Sequence, residues 1–162
     1  MYITSNHSPF GESRDIFFMQ QAIKEAHHAL QHNEVPIGAI IVSADGFIIA
    51  RASNAVEQQK TQSAHAELLA INQAGRSMND WRLSDCWLYV TLEPCSMCMN
   101  IIAMSRLAGV VFGAASPLFG YRLDNAQSDQ VYKKAMVFVK EGVCADESAQ
   151  LLKQFFNQKR KE

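Results

Sequence analysis

The sequence predicts an α/β fold built on a mixed sheet. Apolar runs of strand length alternate with helical patterns from about residue 35 to the C-terminus. Two of these runs, at 86–91 and 110–113, enclose one helical segment, which is the order of a parallel strand–helix–strand crossover. Antiparallel pairing is added by the turn Ala44-Asp45-Gly46, which joins two apolar stretches as a hairpin. The length, 162 residues, suits one domain spanning residues 1–162. A chain of this size buries about 70% of its unfolded surface and needs no disulfide or metal to hold a core.

Each element has its own justification. Residues 1–14 hold Asn6, His7, Pro9 and Gly11 with little periodicity and read as a loose arm. Residues 15–33 are an amphipathic helix: Ile16, Met19, Ile23, Ala26 and Leu30 make one continuous stripe. Asp15 suits its start, and His27, His28 and His32 suit its C-terminal half as a solvated face. The hairpin arms lie at 37–42 and 47–50 and are apolar on both faces. Residues 51–64 are polar and loop-like, with Asn54 among them. Residues 65–74 are helical, with Gly75 as the expected C-cap.

The second half continues the pattern. Residues 86–91 have strand composition, 95–105 are helix, and 110–113 are strand. Residues 115–129, with Pro117, Phe119, Gly120 and Tyr121, are irregular, and a loop of that length is more often functional than filler. A short helical turn is expected at 130–134 and a last strand at 136–139. A closing helix spans 146–161, with Asp146 as cap and Leu151, Leu152, Phe155 and Phe156 on its inner stripe. Its tip, Lys159-Arg160-Lys161, is basic.

The chemistry concentrates at two helix starts, His65-Ala66-Glu67 and Pro94-Cys95-Ser96-Met97-Cys98. Cysteines three apart in a first helical turn point their sulfurs to one side. The helix dipole and the unpaired N–H groups there favour a thiolate. Pro94 fits such a start, since its missing N–H would have had no partner. His65 can add a third ligand, and three N/S ligands with a fourth position open to water describe a catalytic zinc site. Glu67, two residues from His65, reads as a neighbour of the metal, placed to act as general base and then general acid.

Cys95-x-x-Cys98 alone leaves other readings. One is thioredoxin-like redox chemistry; another is a structural zinc site completed by Cys86 or a further histidine. The upstream His-x-Glu and Pro94 favour catalytic zinc over both. Cys86 and Cys144 read as buried thiols.

These motifs carry a resemblance. His-x-Glu followed by Pro-Cys-x-x-Cys resembles the zinc-dependent nucleoside and nucleobase deaminases. Glu34-Val35-Pro36-Ile37-Gly38-Ala39, Asn54, Thr91-Leu92-Glu93-Pro94, Ser105-Arg106, Val110-Val111-Phe112-Gly113-Ala114 and the tail from Glu141 to Phe155-Phe156 narrow the likeness to the bacterial tRNA adenosine deaminases. The resemblance implies a three-layer α/β/α sandwich, cytidine-deaminase-like, with about five strands. It implies one Zn2+ per chain on His65, Cys95 and Cys98, and Glu67 as the catalytic carboxylate. It further implies Asn54 as a nucleoside contact, Lys159, Arg160 and Lys161 as RNA contacts, and a homodimer. The implied reaction converts the wobble adenosine of a tRNA anticodon stem-loop to inosine. Family members commonly carry an aspartate, then a lysine two residues on, in the loop near the RNA. Here Ser116 and Leu118 stand at those places. The rival readings are deamination of a free base or nucleoside such as guanine or cytosine, and a zinc-bearing RNA-binding subunit without turnover.

Composition bounds the rest. Hydrophobic residues at 48% argue against disorder, and a net charge of -1 means that a nucleic-acid partner would rely on a local patch. No secretory pattern and no apolar run of membrane-spanning length is read, so a cytoplasmic protein with no membrane partner is expected.

Overall fold

Strand residues here alternate between two apolar layers, which is why the strands read as unbroken hydrophobic runs. The computed structural model describes residues 2–123 and 136–161. In chain order the elements are β1 (Tyr2–Thr4), α1 (Glu12–Gln31), β2 (Gly38–Val42), β3 (Ile48–Ser53), α2 (Val56–Gln59) and α3 (Ala66–Met78). They continue as β4 (Trp87–Leu92), α4 (Ser96–Met104), β5 (Gly109–Ala114), a 3-10 turn at Tyr121–Leu123, β6 (Val137–Lys140) and α5 (Ala145–Lys159).

Among the described residues the strands make one mixed sheet in the order β1-β6-β5-β4-β2-β3. β4, β5, β6 and β1 run parallel, and β2 is antiparallel to both β4 and β3. One face carries Ala39, Ile41, Leu88, Val90, Val110 and Phe112, packed against α3 and α4 residues such as Ala70, Ala74 and Ile102. The other carries Ile40, Val42, Trp87, Tyr89 and Val111, packed against Phe18, Met19 and Ile23 of α1 and Leu151 of α5. The expected α/β/α sandwich is therefore present, with both connection types as read: the β2–β3 hairpin and the parallel β4–α4–β5 crossover.

Several boundaries differ from the sequence reading. Tyr2–Thr4 is not loose: it pairs with β6, and the sheet has six strands instead of about five. The first helix begins at Glu12, after Gly11 in a positive-φ conformation. α3 runs through Gly75 and ends at Asn79, which takes the left-handed conformation. α5 starts after Cys144, also left-handed, so Asp146 lies in the first turn and is not the cap. The turn expected at 130–134 and part of the 115–129 segment lie outside the described residues.

A buried carboxylate fastens α1 to the sheet. Asp15 is fully buried and accepts hydrogen bonds from Tyr89 Oη at 2.6 Å, Lys140 Nζ at 2.6 Å and Ser8 Oγ at 2.5 Å. A buried charge is tolerated only with such partners.

The register then fixes where chemistry can sit. Gly38 opposes Ser53, Ala39 opposes Val90, and Leu92 opposes Ala114. The start of β2 and the ends of β3, β4 and β5 therefore share one rim of the sheet. Asn54, Glu93-Pro94-Cys95 and the 115–123 loop all leave from that rim, and ligands in open α/β sheets collect outside the carboxyl ends of strands.

Candidate metal centre and active site

Two helix beginnings meet at this rim. His65 is the N-cap of α3 and Cys95 the N-cap of α4, so Cys98 lies one turn into α4. Both α3 and α4 lie on the same face of the sheet and pack against each other, which brings their N-termini together. His65 Nδ1 is 3.7 Å from Cys95 Sγ and 3.4 Å from Cys98 Sγ, and the three ligand atoms all lie within 4.8 Å of one another.

These separations test the fit of a metal. Tetrahedral zinc, with bonds of about 2.0 Å to nitrogen and 2.3 Å to sulfur, sets its ligand atoms about 3.5 to 3.8 Å apart. The observed contacts match that edge, and an N/S2 donor set suits zinc. Cys86, the rival fourth ligand, is buried elsewhere, in the core between the sheet and α3–α4, and is not part of the cluster. Cys144, expected to be buried, is half-buried.

Electrostatics support the same reading. A hydrogen bond from the Cys98 thiol, with another from His65, brings Cys95 down to about 4. Cys98 is pushed up, because it donates to the Cys95 thiolate and is buried. His65 is raised, chiefly by its hydrogen bond to Cys95. The thiolate form of Cys95 is thus favoured before any metal binds, and metal binding requires the remaining ligand protons to leave.

Glu67, in the first turn of α3, is buried. Burial raises its pKa, opposed by its own backbone N–H and by His65. Burial makes the protonated form more accessible than it is for an exposed carboxylate, which suits a group that takes and returns a proton.

Asn54 is buried and follows β3 directly. Its backbone N–H donates to Ile37 O at 2.9 Å, and Ala55 N–H donates to Ala64 O at 3.0 Å, next to His65. The asparagine is therefore tied to the segment that carries the histidine ligand. Lys159 is the last residue of α5, Arg160 is its C-cap and Lys161 follows. Lys159 lines a groove of about 690 Å³ with His32, Val35, Glu57, Lys60 and Phe156.

Two carboxylates that the sequence showed only as parts of longer motifs, with no role of their own, are buried beside the site. Glu34, 1% exposed, accepts from the backbone of α2 and from Asn54. Glu93 accepts Ser116 N–H at 3.0 Å and faces Arg122 Nε at 3.8 Å. A Cβ on Gly120 would lie 2.5 to 2.7 Å from the Glu93 carboxylate, so any side chain there would have to displace that carboxylate from the loop. Ser116 Oγ in turn accepts Phe119 N–H at 3.3 Å, and Leu118 and Phe119 are exposed. Glu93 adjoins Pro94-Cys95; its place in the Thr91-Leu92-Glu93-Pro94 motif and a charge at the end of an apolar strand were the signals available for it.

Comparison with known proteins agrees with the geometry. The sequence pattern of the cytidine and deoxycytidylate deaminase zinc-binding region matches residues 12–114. A tRNA-specific adenosine deaminase of Streptococcus pyogenes serotype M18 (strain MGAS8232) is 38% identical over 159 residues, covering 94% of this chain and 96% of its own. The tRNA-specific adenosine deaminase of Bacillus subtilis (strain 168) is 41% identical over 152 residues, 92% of each chain. A structure solved in a study of A-to-I editing by tRNA:A34 deaminases superposes with a TM-score of 0.76 at 34% identity, over 84% of this chain and 99% of that one. A guanine deaminase from Nitrosomonas europaea gives a TM-score of 0.75 at 20% identity, over 92% of this chain and 93% of that one, a likeness of fold alone. Among the described residues no helix is long and apolar enough to cross a membrane.

Proposed function

The chain belongs to the cytidine and deoxycytidylate deaminase zinc-binding family, and on that premise we propose that it hydrolyses the wobble adenosine of a tRNA anticodon to inosine, releasing ammonia. One observation carries the reaction type: His65, Cys95 and Cys98 converge while Glu67, two residues beyond the histidine, is buried. The relatives at 38% and 41% identity over more than nine-tenths of the chain support the tRNA substrate.

His65, Cys95 and Cys98 hold one Zn2+ per chain. When bound, the ion supplies Lewis-acid activation that lets water ionise near neutral pH. Glu67 takes the proton of the attacking water as its oxygen adds to the amino-bearing ring carbon. Glu67 then returns protons to the ring nitrogen and to the departing ammonia, so one water is consumed and one ammonia is formed. A purely structural metal site has no use for that carboxylate. Asn54 holds the nucleoside, and a base paired or stacked in RNA must first be splayed out to reach this rim. The basic tip Lys159-Arg160-Lys161 holds the RNA backbone.

The chain works as a homodimer. The exposed apolar side chains Met97, Met104, Leu118 and Phe119, on α4 and the loop after β5, supply the surface for a second copy. Thiolate ligands suit a reducing, cytoplasmic setting.

The test is incubation of the purified protein with an anticodon stem-loop carrying adenosine at the wobble position, read by sequencing. Ammonia release from free guanine, cytosine and adenosine is measured beside it. Inosine in the stem-loop is the expected result; reaction of free bases alone overturns the tRNA reading.

A further inference from the structure

Glu34 is a buried carboxylate that the chemistry above does not use. It lies between α1 and β2, and its side chain reaches the start of α2. Oε1 accepts Gln58 N–H at 2.6 Å and Oε2 accepts Glu57 N–H at 3.1 Å. α2 has no cap of its own, since Ala55 precedes it and offers no side-chain oxygen. Glu34 therefore supplies, from another part of the chain, the acceptor that the first N–H groups of a helix need.

The same Oε2 also faces Asn54, whose Nδ2 donates to it at 3.5 Å. An asparagine amide has one donating and one accepting end. With Nδ2 turned to a carboxylate, Oδ1 is the end left for a ligand. A carboxylate at this place fixes that orientation, because it can only accept and would repel the amide oxygen. The backbone bonds Asn54 N–H to Ile37 and Ala55 N–H to Ala64 stop the segment from shifting as a whole.

We infer that Glu34 is a positioning residue for substrate recognition: it locks the amide of Asn54 with Oδ1 presented, so that the site reads a hydrogen-bond donor on the bound nucleoside. This rests on the reading of Asn54 as a nucleoside contact. Glu34 touches no reacting atom and acts through Asn54 and the first turn of α2.

The test uses the full chain loaded with zinc and compares Glu34→Gln, Asn54→Ala and the double variant. Glutamine keeps the shape but carries one acceptor oxygen where the carboxylate has two, and its NH2 end tolerates the flipped asparagine. Zinc content should be unchanged in all three. Glu34→Gln should raise KM for the stem-loop about tenfold with kcat changed by less than about threefold, the scale of one charge-assisted hydrogen bond. The double variant should be no worse than Asn54→Ala alone. Losses that multiply in the double variant overturn the inference, as does a Glu34→Gln protein with unaltered KM. Hydrogen exchange, which needs no substrate, is the second arm: the amides of Glu57 and Gln58 should exchange faster in Glu34→Gln while those of the sheet do not. Unchanged exchange also overturns it. A wild-type protein that makes no inosine would count against the tRNA reading instead, and the exchange arm would still decide the role of Glu34.

Discussion

Cys98 Sγ lies 3.4 Å from His65 Nδ1 across a sequence separation of 33 residues, and Glu67, two residues beyond that histidine, is buried. Ligand and proton carrier therefore sit on the same helix start yet do different work. His65→Ala should bind little zinc and make no inosine. Glu67→Ala should keep about one zinc per chain and lose turnover by about a hundredfold or more, the scale of general acid–base catalysis. Metal content by plasma emission and inosine by sequencing check both. A Glu67→Ala protein with wild-type turnover would remove the assignment. Chelation should abolish activity in the wild type, and added zinc should restore it.

The basic tip of α5 should act on RNA binding and leave the chemistry alone. Replacing Lys159, Arg160 and Lys161 together with alanine should raise KM for the stem-loop with kcat unchanged. Contacts to a single-stranded backbone contribute about 0.7 each to the slope of log affinity against log salt. The variant's slope should be shallower than the wild type's by one to two contacts' worth, measured by binding titrations at several salt concentrations. Equal slopes would place the RNA elsewhere.

Sequence patterns located the metal centre because spacing and helix starts are local properties. His65, Cys95 and Cys98 each follow from a short motif, and the topology only had to bring two motifs together. Other features depend on partners distant in the chain. Tyr2-Ile3-Thr4 is too short to read as a strand and becomes one by pairing with Val137-Phe138-Val139. Val56-Glu57-Gln58-Gln59 is one turn held by Glu34, more than twenty residues away, and reads as loop when taken alone. The helix ends at Asn79 and Cys144 rest on left-handed residues that are not glycine, so Gly75 and Asp146 drew the eye instead.

The Tyr89–Asp15 hydrogen bond should give stability a dependence on alkaline pH. Burial first, and then the bond to Asp15, raise Tyr89 well above its ordinary value of 10.0. The unfolded chain ionises this hydroxyl near pH 10, whereas the fold keeps it neutral. Its contribution is thus fully present below about pH 10 and is lost as pH rises toward the folded value. Tyr89→Phe should cost about 1.5 to 3 kcal/mol at neutral pH, the worth of a hydrogen bond to a charged group. That gap should shrink between about pH 9 and pH 11, as followed by chemical denaturation. A gap independent of pH would show that the hydroxyl does not titrate with folding.

Two glycines should respond in opposite directions to the same added methyl group. Gly38 opens β2, and a Cβ there would meet the backbone of α1 at Ala22 O and Ala26 N, which cannot swing aside as a side-chain tip could. α1 would have to lift from the sheet, disturbing the contacts of Phe18, Met19 and Ala22 at a cost of about 1 to 3 kcal/mol. Gly38 N–H also donates to Thr91 Oγ1 at 3.2 Å, two residues before Glu93-Pro94-Cys95, so the shift reaches the metal ligands. Gly38→Ala should therefore lower both Tm and zinc affinity. Gly75 lies inside α3, and a Cβ there would meet Asp80 O at 3.4 Å, an ordinary contact. Gly75→Ala should stabilise the protein by about 0.5 to 1 kcal/mol, because alanine loses less backbone entropy in a helix. Calorimetry on the two variants, with zinc titrations on Gly38→Ala, decides the matter. A stable Gly38→Ala protein would mean that α1 does not rest on β2 as closely as this packing requires.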